Sequence, residues 1–562
     1  MKKSTFLIIL LVMISLVLAA VAEPPTEFEI PETGTNIHGF IVRDVSDWDE
    51  YLTSVVKLEH IRTGSVLFWL ANDNTNRSFT VSFHTPIYDD TGIAHVFEHA
   101  TLGGSVKYPG ANTFFEMSAK TSNTYLNAST STYSTNYKMA SISEEQLIQY
   151  IDFYMSGLTE PLAISNPNAM MREAFRYELN DREDPISIQG VVYSEMLGAL
   201  SKERMAYYNF MRTLWPGSYL SSISGGDPEH IPELTLEKIR AFHETYYHPS
   251  NATMVLTGNL DLPRILELLN TRYLSRYDHK DILFEDPGYT PVAPGYHEKI
   301  YTYPVEEGTP TENGAIMYFA YPFDVTRADY NDLAVLRYLA YYLNDEASPF
   351  MQKTREQLPG ASCSTAVSWN PDRKMSLTFT GSGLNESDKD IFRTICETSL
   401  AEVLRSGVNE DVLNAILTNN RFSDLMELDD SSVYLSLADE IISSQYIWGD
   451  PDAWKMTAGF NRSLDQRITV DNLNRTAKKY WADLNTSVMA ITVPTPGLRE
   501  EKDAALRRQL DDMKNRHDPG GSRGTDSKDE RLPCICRGEQ RNPYAGIPEC
   551  TERPFSAGRG FL

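Results

Sequence analysis

His95-Val96-Phe97-Glu98-His99 is the stretch on which the fold and the chemistry of this 562-residue chain both depend. Residues four apart lie on one face of a helix, so the two histidines can direct their imidazole rings at the same metal ion. Glu98 follows His95 by three positions, on the same side, and can reach a water molecule bound to that metal. The spacing therefore predicts a zinc site with a carboxylate that acts as general base.

The flanking residues predict that this stretch lies in the first turns of a helix that follows a strand. Phe79 to Phe83 alternates like a half-buried strand, and Pro86 to Gly92 is a polar connection. Asp90 or Thr91 can cap a helix that begins just after them. We therefore expect a helix over residues 92–103 whose apolar side faces a core.

A catalytic zinc site needs a third protein ligand and leaves its fourth position to water. Spacing requires only that this ligand come from an element other than the helix of the histidines. Glu195, within Gly190-Val191-Val192-Tyr193-Ser194-Glu195-Met196-Leu197-Gly198, is the ligand we favour. Glu173, Glu178 and Glu203 remain open, because the spacing by itself does not choose among the four.

From Thr91 to Asn259 the chain resembles the pitrilysin/insulinase family of zinc peptidases, and within that family the presequence-protease branch. The first matching motif contains both histidines, and its H-x-x-E-H order is the inverse of the more common H-E-x-x-H zinc motif. The further motifs, in chain order, are Gly103-Gly104-Ser105 with Lys107-Tyr108-Pro109, Thr124-Tyr125-Leu126-Asn127-Ala128, Gly190-Val191-Val192-Tyr193-Ser194-Glu195-Met196, Ser224-Gly225-Gly226-Asp227-Pro228 and Tyr246-Tyr247-His248-Pro249-Ser250-Asn251.

The resemblance implies roles for individual site residues. It makes Glu195 the third zinc ligand beside His95 and His99, with one Zn²⁺ per chain. It makes Glu98 the general base that activates zinc-bound water, so no cysteine or serine nucleophile is needed. Glu173 is expected to be a further carboxylate that orients the ligands.

The resemblance also implies how substrate is held. Asn127 and Ala128 match the family's edge strand, which pairs with the substrate backbone as an added β-strand. Main-chain pairing gives affinity with little discrimination between side chains. It suits an enzyme that accepts many unfolded peptides.

The implied fold is α+β, with two tandem pitrilysin/insulinase-type domains, each an antiparallel-rich sheet with helices packed on one face. Residues 24 to about 60 read as a polar lead-in to the first domain. The expected segments are a signal peptide at 1–22, a zinc-binding catalytic domain at 24–270, a linker at 271–298, a second domain without metal at 299–498, the start of a helical hinge at 499–517 and a disordered tail at 518–562. Full-length members of the branch carry a second half after the hinge, so the resemblance covers an N-terminal half only. That second half supplies an Arg/Tyr pair for the substrate carbonyl, and no segment of this chain matches the pair.

The N-terminus and the composition restrict the class of protein. Lys2-Lys3 precedes an apolar run from Phe6 to Ala22 with small residues at its end, which predicts an exported protein: periplasmic, secreted or at the cell surface. An uncleaved membrane anchor is the alternative. The net charge of −26 argues against nucleic-acid binding, which needs a basic face. The first cysteine is Cys363, so disulfides do not hold the predicted catalytic domain together; Cys363 and Cys396 either pair or stay as thiols.

Three functions are compatible with the sequence. The leading one is a zinc metallopeptidase that cleaves short unfolded peptides. The alternative is the zinc- and peptide-binding part of a two-component enzyme, completed by a partner that carries the C-terminal half or by a second copy of this chain. A non-catalytic binding protein on the same fold is the third, and Glu98 argues against it because a purely structural role does not need a general base.

Overall fold

The computed structural model describes residues 28–110, 113–181, 183–284, 288–371, 374–428 and 433–516. The predicted signal peptide and the predicted disordered tail at 518–562 lie outside the described residues. The fold is α+β with two large, mainly antiparallel sheets, as the resemblance implies. Within these ranges no helix is both long enough and apolar enough to span a bilayer.

The strands belong to an eight-stranded sheet, a five-stranded sheet and a two-stranded ribbon. In chain order they are β1 (Asn36–Ile37), β2 (Phe40–Trp48), β3 (Thr53–His60), β4 (Val66–Ala71), β5 (Arg77–His84), β6 (Tyr125–Thr130), β7 (Ser134–Ser141), β8 (Arg176–Glu178), β9 (Ser187–Gln189), β10 (Ala252–Thr257), β11 (Gly295–Val305), β12 (Ala315–Phe323), β13 (Ser362–Asn370), β14 (Lys374–Leu384) and β15 (Thr486–Pro496).

The α-helices alternate with these strands along the chain. They are α1 (Ile93–Leu102), α2 (Thr113–Lys120), α3 (Glu144–Thr159), α4 (Pro167–Glu173), α5 (Val191–Ala199), α6 (Lys202–Leu214), α7 (Leu236–Tyr246), α8 (Leu262–Arg272), α9 (Tyr330–Asn344), α10 (Pro349–Gln357), α11 (Lys389–Ser406), α12 (Glu410–Leu428), α13 (Val433–Trp448), α14 (Trp454–Arg462), α15 (Leu464–Arg467), α16 (Val470–Trp481) and α17 (Leu498–Arg516).

Both sheets are closed by a late strand that inserts between earlier ones. The first sheet has the order β1-β2-β3-β4-β10-β5-β7-β6, in which β10 is parallel to β4 and antiparallel to β5. The second has the order β11-β15-β12-β14-β13, in which β15 is parallel to β11 and antiparallel to β12. The same closing arrangement therefore occurs twice, and β6 is left as an outer edge of the first sheet.

The prediction of a polar lead-in up to about residue 60 is wrong, because residues 36–60 form strands β1 to β3. The residues of β2 and β3 that face the core are apolar and buried, including Phe40, Val56 and Leu58. Charged residues occupy the outer face, where Arg43 pairs with Glu59 at 3.1 Å. The polar residues that suggested a lead-in lie on strands of this sheet, and among them Asp44 and Lys57 form ion pairs with Lys455 and Asp452 of the second half of the chain.

Each sheet packs its own helices on one face. In the first sheet, Val81 and Met139 share a core cluster with Phe97 of α1 and Tyr154 of α3. In the second, Phe379 of β14 packs with residues of α9 and α11. The helices in these two clusters are the ones that were expected on one face of each sheet.

The opposite face of each sheet is covered by a helix from the other half of the chain. Helix α13 presents Leu437 and Ile441 to Phe68 and Val255 of the first sheet. Helix α6 presents Phe210 to the second sheet, where Val488 and Ala490 belong to the same cluster. Because both faces of its central strands are covered, all six residues of β10 are buried.

Helices and strands extend into the predicted linker and occupy the predicted hinge. Within the predicted linker at 271–298, α8 runs to Arg272 and β11 begins at Gly295. Helix α17 occupies the region of the predicted hinge, and its Lys502 reaches Glu229 of the first half at 2.5 Å. The predicted domain bounds stay predictions.

The packing of helix α13 against the first sheet can be tested by shortening one of its buried side chains. Ile441 is fully buried beneath the first sheet, so Ile441→Ala is expected to lower the free energy of unfolding by about 2–5 kcal/mol. Ile391→Ala is the matched control, since Ile391 is 41% exposed and its loss should cost less than about 1 kcal/mol. Urea unfolding of the two variants gives both values, and equal losses would contradict this packing.

Candidate functional site

Three of the predicted ligands come together at the end of the first sheet. His95 and His99 lie on one side of α1, and Glu195 lies on α5. The Oε2 atom of Glu195 is 3.9 Å from Nε2 of His95 and 3.5 Å from Nε2 of His99. Within the described ranges this trio is the one group of His, Cys, Asp or Glu side chains whose geometry could hold a metal ion. Glu173, Glu178 and Glu203, the other candidates left open by the spacing, are outside it.

The donor set fits zinc. Two imidazole nitrogens and one carboxylate oxygen are a common ligand set of catalytic zinc sites. Ligand atoms in a tetrahedral site with bonds of about 2.0–2.1 Å lie about 3.3 Å apart. These two separations exceed that value, and the three ligand atoms all lie within 4.8 Å of one another, so rotations that bring the side chains closer together would close the site.

The ring of His95 is held by a carbonyl group from a distant loop. Its Nδ1 lies 3.1 Å from the carbonyl oxygen of Gly225. Because a carbonyl oxygen only accepts hydrogen bonds, Nδ1 carries the proton and Nε2 is left available as a metal ligand. Burial, followed by the neighbouring His99, lowers the pKa of His95, which favours the neutral form that binds metal.

The start of α1 depends on glycine and not on a capping side chain. The N-cap is Gly92, at φ 67°, and no side chain caps the helix, so the prediction that Asp90 or Thr91 would do so is wrong. A Cβ atom on Gly92 would lie 2.6 Å from the carbonyl oxygen of Gly225. Asp90 instead holds that loop in place by accepting a hydrogen bond of 2.7 Å from the backbone N–H of Ile223.

Glu98 lies beside the ligands but does not belong to the metal cluster. Its side chain is 6% exposed, and Oε2 accepts a hydrogen bond of 2.6 Å from the hydroxyl of Thr130. Burial raises the pKa of Glu98 and outweighs the opposing effects of Thr130 and His99. A carboxylate whose pKa is raised toward neutrality is a better proton acceptor than an ordinary one.

Glu173 lies behind His99, at the end of α4. One of its oxygens is 3.7 Å from Nδ1 of His99, and the other accepts a hydrogen bond of 2.6 Å from Arg172. Burial alone would lower the pKa of His99, but Glu173 and the two other nearby carboxylates raise it above the ordinary value. Burial alone would raise the pKa of Glu173, but His99 and Arg172 lower it. Glu173 therefore lies beside His99, and its role in orienting that ring stays a prediction.

Asn127 and Ala128 lie in β6, at the open edge of the first sheet. They pair on one side with Lys138 and Tyr137 of β7, and β6 has no neighbouring strand on the other side among the described residues. The same strand ends at Thr130, whose hydroxyl reaches Glu98. A hydrogen bond thus connects the edge strand to Glu98.

Three contacts of the site were not predicted from sequence. The carbonyl of Gly225, the hydroxyl of Thr130 and the guanidinium of Arg172 orient His95, Glu98 and Glu173 respectively. The Ser224-to-Pro228 motif is a usable signal for the first of them, although the sequence alone assigns it no role. The other two have no local signature.

Comparison with protein families gives two matches along the chain. The family described as "Insulinase (Peptidase family M16)" matches residues 87–206, a range that includes all three predicted ligands and Glu98. The family described as "Peptidase M16 inactive domain" matches residues 233–420. The two ranges together cover more than half of the chain.

Individual relatives agree with these matches. The chain is 26% identical to "Protein HypA" of Clostridium perfringens over 494 residues, which is 85% of this chain and 49% of that protein. It is 29% identical to the mitochondrial presequence protease of Danio rerio over 426 residues, 74% of this chain and 41% of that protein. The chain thus spans about half the length of the curated relatives it matches, or less.

Solved structures support the fold. A protease from Helicobacter pylori superimposes on this chain with a TM-score of 0.57 at 17% sequence identity. The match covers 76% of this chain and 97% of the protease chain. At this level of identity the likeness concerns the arrangement of helices and strands alone.

The contact between Glu173 and His99 can be tested in the metal-free chain. His99 is expected to titrate above the ordinary pKa of 6.5 and His95 below it. Glu173→Gln should lower the pKa of His99, because it removes a negative charge that stabilises the imidazolium. Titration of ¹⁵N-histidine-labelled protein by NMR measures each ring.

Glu233→Gln is the matched control, because Glu233 contacts His230 at 2.8 Å. This control variant should lower the pKa of His230 and leave the pKa of His99 unchanged. An unchanged pKa of His99 in Glu173→Gln would show that the two side chains do not interact in solution.

Proposed function

The chain belongs to the M16 peptidase family, and we propose that it is a zinc-dependent metalloendopeptidase of short, unfolded peptides. The observation that carries this proposal is the convergence of His95, His99 and Glu195, with Glu98 beside them. Two histidines and one carboxylate form a zinc site, and a neighbouring buried carboxylate that is not a ligand is what hydrolysis requires.

The residues of the site would share the work of peptide hydrolysis. Zinc, when bound, supplies Lewis-acid chemistry that polarises a carbonyl group and acidifies water. Glu98 accepts the proton of the attacking water and returns it to the departing amine. Thr130 keeps the Glu98 carboxylate oriented for these transfers, and Gly225 and Glu173 keep the two imidazole rings in position.

The edge of β6 would hold the substrate. An extended peptide can add to this edge through backbone hydrogen bonds at Asn127 and Ala128. Because β6 runs toward Thr130, a peptide paired there is led to Glu98. Pairing through the backbone requires an extended chain, so folded proteins are poor substrates.

A two-component enzyme is the second candidate, and the open surface around Glu195 favours it. On α5, Val191 is 44% exposed and Leu197 is 60% exposed. We infer that these two side chains, beside the proposed catalytic site, offer apolar contacts to another protein segment. A partner carrying a C-terminal half, or a second copy of this chain, would enclose the site and exclude water.

The setting of the reaction follows from the N-terminal sequence and the charge. We propose an exported protein that contacts a membrane only if the N-terminal segment stays uncleaved. Peptides are the proposed partners, and the strongly acidic composition gives no reason to expect nucleic acid.

Two variants, each of which removes one negative charge, distinguish the proposed role of Glu98 from that of Glu195. Glu98→Gln should keep zinc but reduce hydrolysis at least about a hundredfold, because the base is lost while all three ligands remain. Glu195→Gln should lose zinc on dialysis, because an amide is a weaker ligand than a carboxylate. Metal analysis and cleavage of a fluorogenic peptide, with and without chelator, measure both effects.

Parent-like hydrolysis by Glu98→Gln would contradict the mechanism. Unchanged zinc content in Glu195→Gln would remove that residue from the ligand set. Activity of the parent chain that survives the chelator would overturn the metallopeptidase proposal itself.

Variants on the exposed face of α5 can test whether a second copy of the chain completes the site. If two copies complete the site, the turnover rate per chain should rise with chain concentration. Leu197→Asp should abolish that rise without releasing zinc, because a charge cannot be buried at an apolar contact. Leu52→Asp is the control, since Leu52 is 89% exposed on a distant turn. A turnover rate that does not depend on concentration would exclude the homodimer.

A further inference from the structure

The loop of residues 222–227 lies against both helices that carry the predicted metal ligands. A Cβ atom on Gly226 would lie 2.9 Å from the Cα atom of Gly92, where α1 begins. A Cβ atom on Gly225 would collide with the sulfur of Met196 on α5. A side chain at either glycine would push the loop away from one of the two helices. We call this segment the glycine loop.

One backbone atom of the glycine loop contacts a predicted ligand directly. The carbonyl oxygen of Gly225 lies 3.1 Å from Nδ1 of His95, so it selects the tautomer in which Nδ1 carries the proton and Nε2 is free. If the loop moved away, the proton could occupy either nitrogen, and Nε2 would be blocked for part of the time. The position of this carbonyl therefore decides whether His95 is ready to bind a metal ion.

Asp90, in the turn before α1, holds the glycine loop at both of its ends. Its carboxylate accepts a hydrogen bond of 2.7 Å from the backbone N–H of Ile223, two residues before Gly225. Its backbone carbonyl accepts another of 2.7 Å from the N–H of Asp227, two residues after Gly225. One residue thus fixes the loop on each side of the carbonyl that contacts His95.

Arg212 in turn fixes the carboxylate of Asp90. Its guanidinium donates to the second carboxylate oxygen at 2.8 Å, and the two side chains are 29% and 23% exposed. A hydrogen bond between charged groups is shorter and stronger than one between neutral groups, and partial burial protects it from screening by salt. The pair therefore keeps one oxygen of Asp90 on Arg212 and the other on the glycine loop.

We propose that Asp90 is a positioning residue of the metal site, which acts through the glycine loop to keep His95 in the tautomer that binds a metal ion. The inference rests on the proposed function in one respect, because it takes Nε2 of His95 to be a ligand atom. Without the carboxylate of Asp90, the loop has to be ordered and the proton moved when the metal binds. Loss of a group that orients a ligand typically weakens metal binding about 10–100-fold, which is the size of effect that we expect here.

The tautomer of His95 in the metal-free chain is the first measurement, because it needs neither zinc nor hydrolysis. NMR of ¹⁵N-histidine-labelled full chain, at a pH where the rings are neutral, distinguishes the protonated from the unprotonated ring nitrogen. We expect the proton on Nδ1 in the parent chain and a mixture of both tautomers in Asp90→Ala. Competition with a chromophoric chelator gives the Kd for zinc, which should rise about 10–100-fold in the same variant.

Three further variants distinguish orientation of the loop from loss of charge. Asp90→Asn keeps an acceptor oxygen for the loop and should restore most of the Nδ1–H tautomer. Arg212→Gln leaves Asp90 in place without its charged partner, so it should shift the tautomer in the same direction as Asp90→Ala but less. Glu229→Ala is the matched control, because it removes a negative charge just beyond the loop, where Glu229 pairs with Lys502 at 2.5 Å. This control should leave both the tautomer and the Kd unchanged.

Circular dichroism and thermal unfolding show whether each variant is folded, and Arg212→Gln carries the test if Asp90→Ala is not. An unchanged tautomer in the folded variant would overturn the proposal, even if its thermal stability were lower, because Asp90 would then have a structural role only. An equal shift in Glu229→Ala would also overturn it, since charge alone would explain the effect. If the parent chain binds no zinc, the proposed function fails instead, and the tautomers still decide the role of Asp90.

Discussion

Within its ten residues, helix α1 must pack against the first sheet on one side and present two histidines on the other. The rest of the site depends on this arrangement. Val96 and Phe97 are fully buried and fix the helix against the first sheet. His95 and His99 lie on the other side, where they can share a metal ion. If α1 rotated by one residue, either the core would lose Phe97 or the metal would lose a ligand. The packing of the core therefore determines the direction of the ligands.

Among the residues that the structure describes, the second half of the chain contributes none to the candidate metal cluster, yet it is packed against the elements that hold that cluster. Arg212 of α6 reaches Asp90, in the loop before α1, at 2.8 Å. From the same helix, Asn209 donates to Thr492 of the second sheet at 3.2 Å. A single helix thus connects the loop beside the metal ligands to the second sheet. The exchange of α6 and α13 between the halves makes the second sheet part of the support of the site.

Electrostatics divides the carboxylates of this region into different roles. Glu98 is buried, and its pKa is raised, so it suits proton transfer. Glu173 is also buried, but Arg172 and His99 lower its pKa, so it stays charged and supports the ring of His99. The side chain of Glu195, the proposed ligand, is 49% exposed. The same functional group is therefore proposed as base, support and ligand, according to its neighbours.

The sequence by itself determined α1 and the placement of its two histidines beside Glu98, because these depend on the period of a single helix. It also gave the closing strands β10 and β15, whose apolar runs are continuous. It did not determine the choice of Glu195 over Glu178 and Glu203, the carbonyl of Gly225 on His95, or the hydroxyl of Thr130 on Glu98. It also misread residues 36–60, and it did not predict that α13 covers the first sheet. Periodicity records which face of an element is buried, but not which distant segment buries it, and these contacts join residues that only the folded chain brings together.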